Sequence, residues 1–247
     1  YAREHVCYRV NRIRNEVPST CSAFLSLLFC ERLGMPLNAV TSHTISIQDH
    51  RIYYLERKGQ TSNSPLLILC HGLPETAHTW AALINALPPD YHIIAPDLPG
   101  YHQSDPLTDR SDYQVPSLVA RMKEFVETVS EGRKAILVGH DWGGALAWGV
   151  AQKYPEMIDK IVVINAPPFN VLLHMLVNDA EQKKSSAYMD GLKSARMEEV
   201  YKQYGPEMLW RYGFDKGYAN GDLDDRFKEA FFKAWDQPGA HTGAVNW

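Results

Sequence analysis

Apolar positions along this chain fall into two alternating patterns. Residues 66–70, 92–95, 135–138 and 161–164 are short, nearly continuous apolar runs, the mark of strands buried on both faces. Between them lie segments of helical spacing. In 115–129 the apolar positions are Val115, Leu118, Val119, Met122, Phe125, Val126 and Val129. Residues 79–87 and 143–154 also read as helices, the second stopped by Pro155. Residues 44–48 and 51–56 are rich in Ile and Tyr and flank Asp49-His50, which predicts a hairpin. Strand alternating with helix predicts an α/β fold, a mostly parallel sheet with helices on both faces. After Asn165 the pattern changes. Residues 170–235 show only helical spacing, broken at Tyr204-Gly205-Pro206 and at residues 219–221, which predicts a helical lid over the sheet.

Composition narrows the class without changing that picture. The chain has 247 residues, enough for one large domain or a domain with an insertion. With 45% hydrophobic and 22% charged residues it is ordinary globular protein, not collagen, coiled coil or disordered chain. A net charge of -4 gives no basic footprint, so no nucleic-acid partner is expected. Four cysteines in a chain of this length are not a disulfide framework. No apolar run approaches the roughly 20 residues of a membrane span. Residues 1–34 stand apart, with five arginines, no lysine and three cysteines. Their apolar run at 22–30 has the length of a signal core, but no small-residue cleavage site follows it. The expected organisation is therefore an extension at 1–34, a core at 35–169 and a lid at 170–247, in a cytoplasmic protein. No His/Cys/Asp cluster has zinc or iron spacing and no glycine loop suits a phosphate, so no metal or cofactor is expected.

The candidate chemistry sits at a strand-to-helix turn. Gly139-His140-Asp141-Trp142-Gly143 follows the run ending at Val138 and opens a helix. It matches the G-x-S-x-G nucleophile elbow, with Asp in place of Ser. The glycines permit a sharp turn that presents the central residue at the carboxyl end of the sheet. A helix N-terminus there favours a carboxylate. The competing reading makes Asp141 a helix N-cap. A second motif, His71-Gly72-Leu73-Pro74-Glu75, directly follows the run ending at Cys70. In an elbow site, the loop after the third strand and the residue after the nucleophile supply the oxyanion hole. The candidate donors are the backbone N–H groups of Leu73 and Trp142. His71, Gly72 and Pro74 shape the motif loop, with His71 and His140 read as packing around it.

Four segments together, HGLPE, DLPGYHQSD, GHDWGG and WDQPG running into Asn246-Trp247, resemble the epoxide hydrolase branch of the α/β-hydrolase superfamily. The resemblance covers roughly residues 35–247. It implies the α/β-hydrolase fold and a small hydrophobic epoxide and water as reactants. It also implies a two-step reaction in which Asp141 forms an alkyl-enzyme ester that a His–acid pair then hydrolyses with water. Two lid tyrosines would donate to the epoxide oxygen, Tyr188 being the candidate for the first. The second tyrosine, the late acid and His, and the last two core strands are expected beyond residue 247. On that expectation the chain is C-terminally truncated and inactive alone. Two positions depart from the family pattern: Pro168 stands where a His is usual, and His102 where a Gly is usual. A haloalkane dehalogenase, with Trp142 holding the halide, is the alternative enzyme; Leu73 lacks the side-chain amide that reading favours. A non-catalytic ligand-binding fragment is the third reading.

Overall fold

A computed structural model of the chain describes residues 40–192 and 197–237, with 240, 243, 246 and 247. The expected extension at 1–34 and the domain start at Met35 lie outside the described residues. Six strands form one sheet: β1 (Thr41–Ile47), β2 (His50–Arg57), β3 (Leu66–Cys70), β4 (His92–Pro96), β5 (Ala135–His140) and β6 (Ile158–Ile164). Their order across the sheet is β1-β2-β4-β3-β5-β6. The first hairpin and the β2–β4 pair are antiparallel, and β4, β3, β5 and β6 run parallel.

Alternation along each strand divides the core into two layers. Leu66, Ile68 and Cys70 of β3 pack on one face with Ala135 and Leu137 of β5. Leu67 and Leu69 face the other way, with Val138. The first face is covered by α2 (Val115–Ser130) and α3 (Trp142–Lys153), and the second by α1 (Ala81–Ala86) and the 3-10 turn before it. The chain leaves β3 towards one face and β5 towards the other. Adjacent parallel strands whose connections diverge in this way open a crevice at their carboxyl ends, where ligands of such sheets bind.

Three of the differences from the sequence reading have a local reason. Ile47 pairs with His50, so the hairpin turn is Gln48-Asp49, not Asp49-His50. Both turn residues have positive φ (48° and 63°), which matches the right-handed twist of the strands. The expected helix at 79–87 is a 3-10 turn, Ala77–Trp80, leading into α1. Strand β6 begins at Ile158, earlier than expected, because the exposed Asp159 and Lys160 interrupt its apolar run.

From Phe169 onward the chain is helical. The described helices are α4 (Phe169–Asn178), α5 (Ala180–Ser185), α6 (Tyr188–Leu192), α7 (Met197–Tyr204), α8 (Pro206–Gly213), α9 (Asp215–Ala219) and α10 (Asp225–Trp235). The predicted breaks fall where positive-φ glycines stand, Gly205 (60°) and Gly221 (79°). Pro206 then opens α8, where a missing N–H costs nothing. The lid packs around the fully buried Trp210, ringed by Phe214, Phe227, Phe231 and Phe232. Among the described residues, no helix is long and apolar enough to cross a membrane.

Candidate active site

Asp141 occupies the turn between β5 and α3 with φ 50° and ψ -119°, a conformation rarely adopted by a residue with a side chain. Backbone bonds hold it there: its N–H donates to the Ile164 carbonyl at 3.1 Å, and its own carbonyl accepts from Ala145 N–H at 3.0 Å. The side chain makes no capping bond to α3. The N-cap reading therefore does not account for it. Instead, Oδ1 accepts from the backbone N–H of Leu73 at 3.0 Å, across 68 residues of sequence. The neighbouring Trp142 N–H also favours the carboxylate. Of the two expected oxyanion donors, Leu73 thus bonds this carboxyl group directly. Burial pushes the Asp141 carboxyl above its ordinary range, and the N–H groups of Leu73 and Trp142 and the charge of His140 pull against that rise.

Two glycines make this approach possible. A Cβ on Gly72 would lie 2.5 Å from the Asp141 Cβ and 2.8 Å from its Oδ1. A Cβ on Gly143 would strike the Cys70 carbonyl and come within 2.6 Å of the His71 carbonyl oxygen. The β3 loop and the elbow can therefore touch only where side chains are absent.

The motif loop is braced from within. Fully buried His71 accepts from Leu98 N–H through Nε2 at 2.9 Å, which fixes its proton on Nδ1, donating to the Gly72 carbonyl at 2.9 Å. Burial depresses its pKa, against the pull of Asp97 and of the Gly72 carbonyl, so the ring is neutral and tied to two loops. Glu75 Oε2 accepts from Gly72 N–H at 2.8 Å and from His140 Nδ1 at 3.0 Å. Burial alone would raise the Glu75 carboxyl. The charge and hydrogen bond of His140, with the Gly72 N–H, outweigh it and hold Glu75 below the usual carboxylate range. Pro74 offers its carbonyl outward to the lid, where the Trp235 indole N–H donates to it at 3.0 Å.

The sequence reading did not assign three of these contributors. Glu75 links the motif loop to His140; the available signal was a carboxylate directly after a loop that follows a buried strand. Trp235 and Trp247 tie the lid to the core. The Trp247 N–H donates to the Pro99 carbonyl at 2.8 Å, and its ring lies 5.6 Å from Trp142 and 5.7 Å from Tyr101. Tyr188, the expected lid donor, stands at the start of α6, 49% exposed, with its ring 5.9 Å from Tyr212. The structure does not place it in the buried cluster around Asp141. His102, at the position where a Gly is usual, keeps a positive φ of 45° and its Nδ1 lies 2.7 Å from Asp97 Oδ2.

Comparison with known proteins agrees with this fold. The family model for the alpha/beta hydrolase fold matches residues 65–237. Epoxide hydrolase 4 of Mus musculus is 30% identical over 187 residues, covering 74% of this chain and 52% of that protein. The AB hydrolase superfamily protein YfhM of Bacillus subtilis is 31% identical over 191 residues, covering 75% of this chain and 65% of that protein. The chain spans about half the length of the mouse and human epoxide hydrolases 4 and the mouse epoxide hydrolase 3 that it matches. A solved epoxide hydrolase of Bacillus megaterium, in complex with an inhibitor, aligns with a TM-score of 0.73 and 27% identity, over 83% of this chain and 70% of that one. The chain belongs to the α/β-hydrolase fold family, and the proteins it resembles include epoxide hydrolases.

Proposed function

We propose that the site opens epoxides to vicinal diols through an ester on Asp141. The observation that carries this reading is the Asp141 carboxylate on a strained elbow, one oxygen held by Leu73 N–H at 3.0 Å and uninvolved in capping. A carboxylate nucleophile needs no proton removed before it attacks. Its oxygen bonds to an epoxide carbon while the ring C–O bond breaks, and the freed oxygen takes a proton from a lid donor, for which Tyr188 is the candidate. A phenol, with a pKa of about 10, stays protonated until that alkoxide forms. Water then adds to the Asp141 carboxyl carbon and gives its proton to a base. The negative oxygen formed at that carbon is stabilised by the N–H groups of Leu73 and Trp142. The bond from the carboxyl carbon to the alkyl oxygen breaks as the base returns its proton to that oxygen, and the second proton of the water passes to the lid donor, which releases the diol and restores the Asp141 carboxylate. The substrate is a small hydrophobic epoxide, which suits the indoles of Trp142 and Trp247 lining this region.

Intact-mass measurement after incubation with a reactive aryl epoxide tests the first step. The expected result is an adduct of the full epoxide mass on Asp141, since ring opening expels nothing. Asp141→Asn gives none. Alkylation falls in acid with a midpoint above that of an ordinary aspartate, because burial raises the Asp141 carboxyl and only its ionised form attacks. A bromoalkane that adds only its alkyl group, where epoxides never react, would replace this reading with a dehalogenase.

A further inference from the structure

The loop after β4 carries a residue that neither step has used. Tyr101 is 1% exposed, and its hydroxyl bonds to no group among the described residues. Its ring is fixed on three sides, edge-on to His71 at 4.9 Å, to Trp235 at 5.8 Å and to Trp247 at 5.7 Å. Those neighbours belong to the motif loop and to the two lid anchors, so Tyr101 stands at the junction of core and lid. A second orphan lies in the same region. Oε1 of Glu75 is buried without a partner, while Oε2 of the same carboxylate is fully engaged by Gly72 and His140. A buried hydroxyl and a buried carboxylate oxygen left unpaired are each costly. An unpaired buried donor and an unpaired buried acceptor, both against the motif loop, are the partners that a buried water requires.

We propose that Tyr101 is a positioning residue for the water that cleaves the Asp141 ester: its hydroxyl donates to that water, which in turn donates to Oε1 of Glu75. The proposal rests on the ester reading above. The electrostatics agree with the placement. After burial, the charge of Asp141 is the largest influence raising the Tyr101 hydroxyl well above its ordinary pKa, followed by Tyr113 and Glu75. A phenol so raised stays protonated and acts as a donor. Alkylation of Asp141 does not need this hydroxyl, because the epoxide oxygen is served from the lid. Hydrolysis does, because the attacking water must be oriented towards the carboxyl carbon.

Tyr101→Phe separates the two steps while keeping the ring contacts. With an aryl epoxide, intact mass follows both the appearance and the decay of the Asp141 adduct. The expected result is adduct formation at the wild-type rate and decay slowed about tenfold, the equivalent of one neutral hydrogen bond. Decay at the wild-type rate overturns the proposal. So does an equal slowing of formation and decay, which would make Tyr101 merely structural. If the wild-type chain forms no adduct at all, the ester reading fails; in that case, and where a wild-type adduct forms but persists, thermal melting decides the role of the hydroxyl. A hydroxyl with no partner destabilises the fold, so Tyr101→Phe would melt higher than wild type and the water site would fall with it. A hydroxyl that holds a water gives an equal or lower melting temperature.

Discussion

The β3 loop and the lid meet at the same site but are held by different forces. The loop is fixed by polar bonds that leave little freedom: His71 spans two backbone groups, Glu75 bridges Gly72 and His140, and Leu73 N–H reaches Asp141. The lid is organised around Trp210 and its phenylalanines, and it touches the loops through single indole bonds, Trp235 to Pro74 and Trp247 to Pro99. Polar networks in a buried setting specify one geometry, because every unpaired member is penalised. Aromatic packing tolerates small sliding, since area burial is not directional. The difference fits the division of labour in the proposed reaction. Donors to a developing negative charge must be placed in advance, whereas a cover over the substrate must admit and release it.

Breaking the polar brace should have the largest effect on stability. Glu75→Ala strips Gly72 N–H and His140 of their buried acceptor. The expected loss is about 3–5 kcal/mol, the cost of removing one partner from a buried ionic pair, measured by chemical denaturation. The pH dependence follows from the sign of the shift. Glu75 is held below the usual carboxylate range, so its contribution is present above the unfolded carboxyl pKa and disappears as pH falls through the lower, folded one. Wild type and Glu75→Ala should therefore converge in stability towards acid.

A steric break in the same brace comes next. Gly143→Ala drives a methyl group into the Cys70 and His71 carbonyls, which are strand and loop backbone and cannot move aside as a side chain would. Overpacking of this kind costs about 1–3 kcal/mol or more. The melting temperature should fall, and with it the capacity of Asp141 to be alkylated, because the methyl group forces the elbow away from the motif loop.

The smallest effect belongs to the lid. Trp235→Phe keeps an aromatic ring against Tyr101 and Tyr201 but removes the donor to the Pro74 carbonyl. A loss of about 0.5–1.5 kcal/mol is expected for one such bond. Limited proteolysis should show earlier cleavage within the lid, with the core fragment retained. If Trp235→Phe destabilised the chain as much as Glu75→Ala, lid and core would be one cooperative unit and the contrast drawn above would fail.

Much of this was legible in the residues themselves. Runs such as Leu66–Cys70 and the helical spacing of Val115–Ser130 declare their elements because burial on two faces or one face imposes a period on the chain. The spacing of glycines around Asp141 announced the elbow, and the HGLPE loop announced where the opposing N–H would come from. Local signals were weaker where charge and burial disagreed, as at the start of β6, where Asp159 and Lys160 conceal strand residues. What tertiary structure alone decided was convergence. Nothing in the neighbourhood of Glu75 indicates that its carboxylate meets His140, 65 residues away, or that the Trp235 indole closes on Pro74 across 161 residues. Nor does any pattern around Tyr101 say that its hydroxyl is buried without a partner while its ring stands edge-on to His71. Periodicity reports which side of an element is apolar. Which polar groups come to share one buried space depends on strand order and on how the loops leave the sheet, and those are properties of the assembled chain.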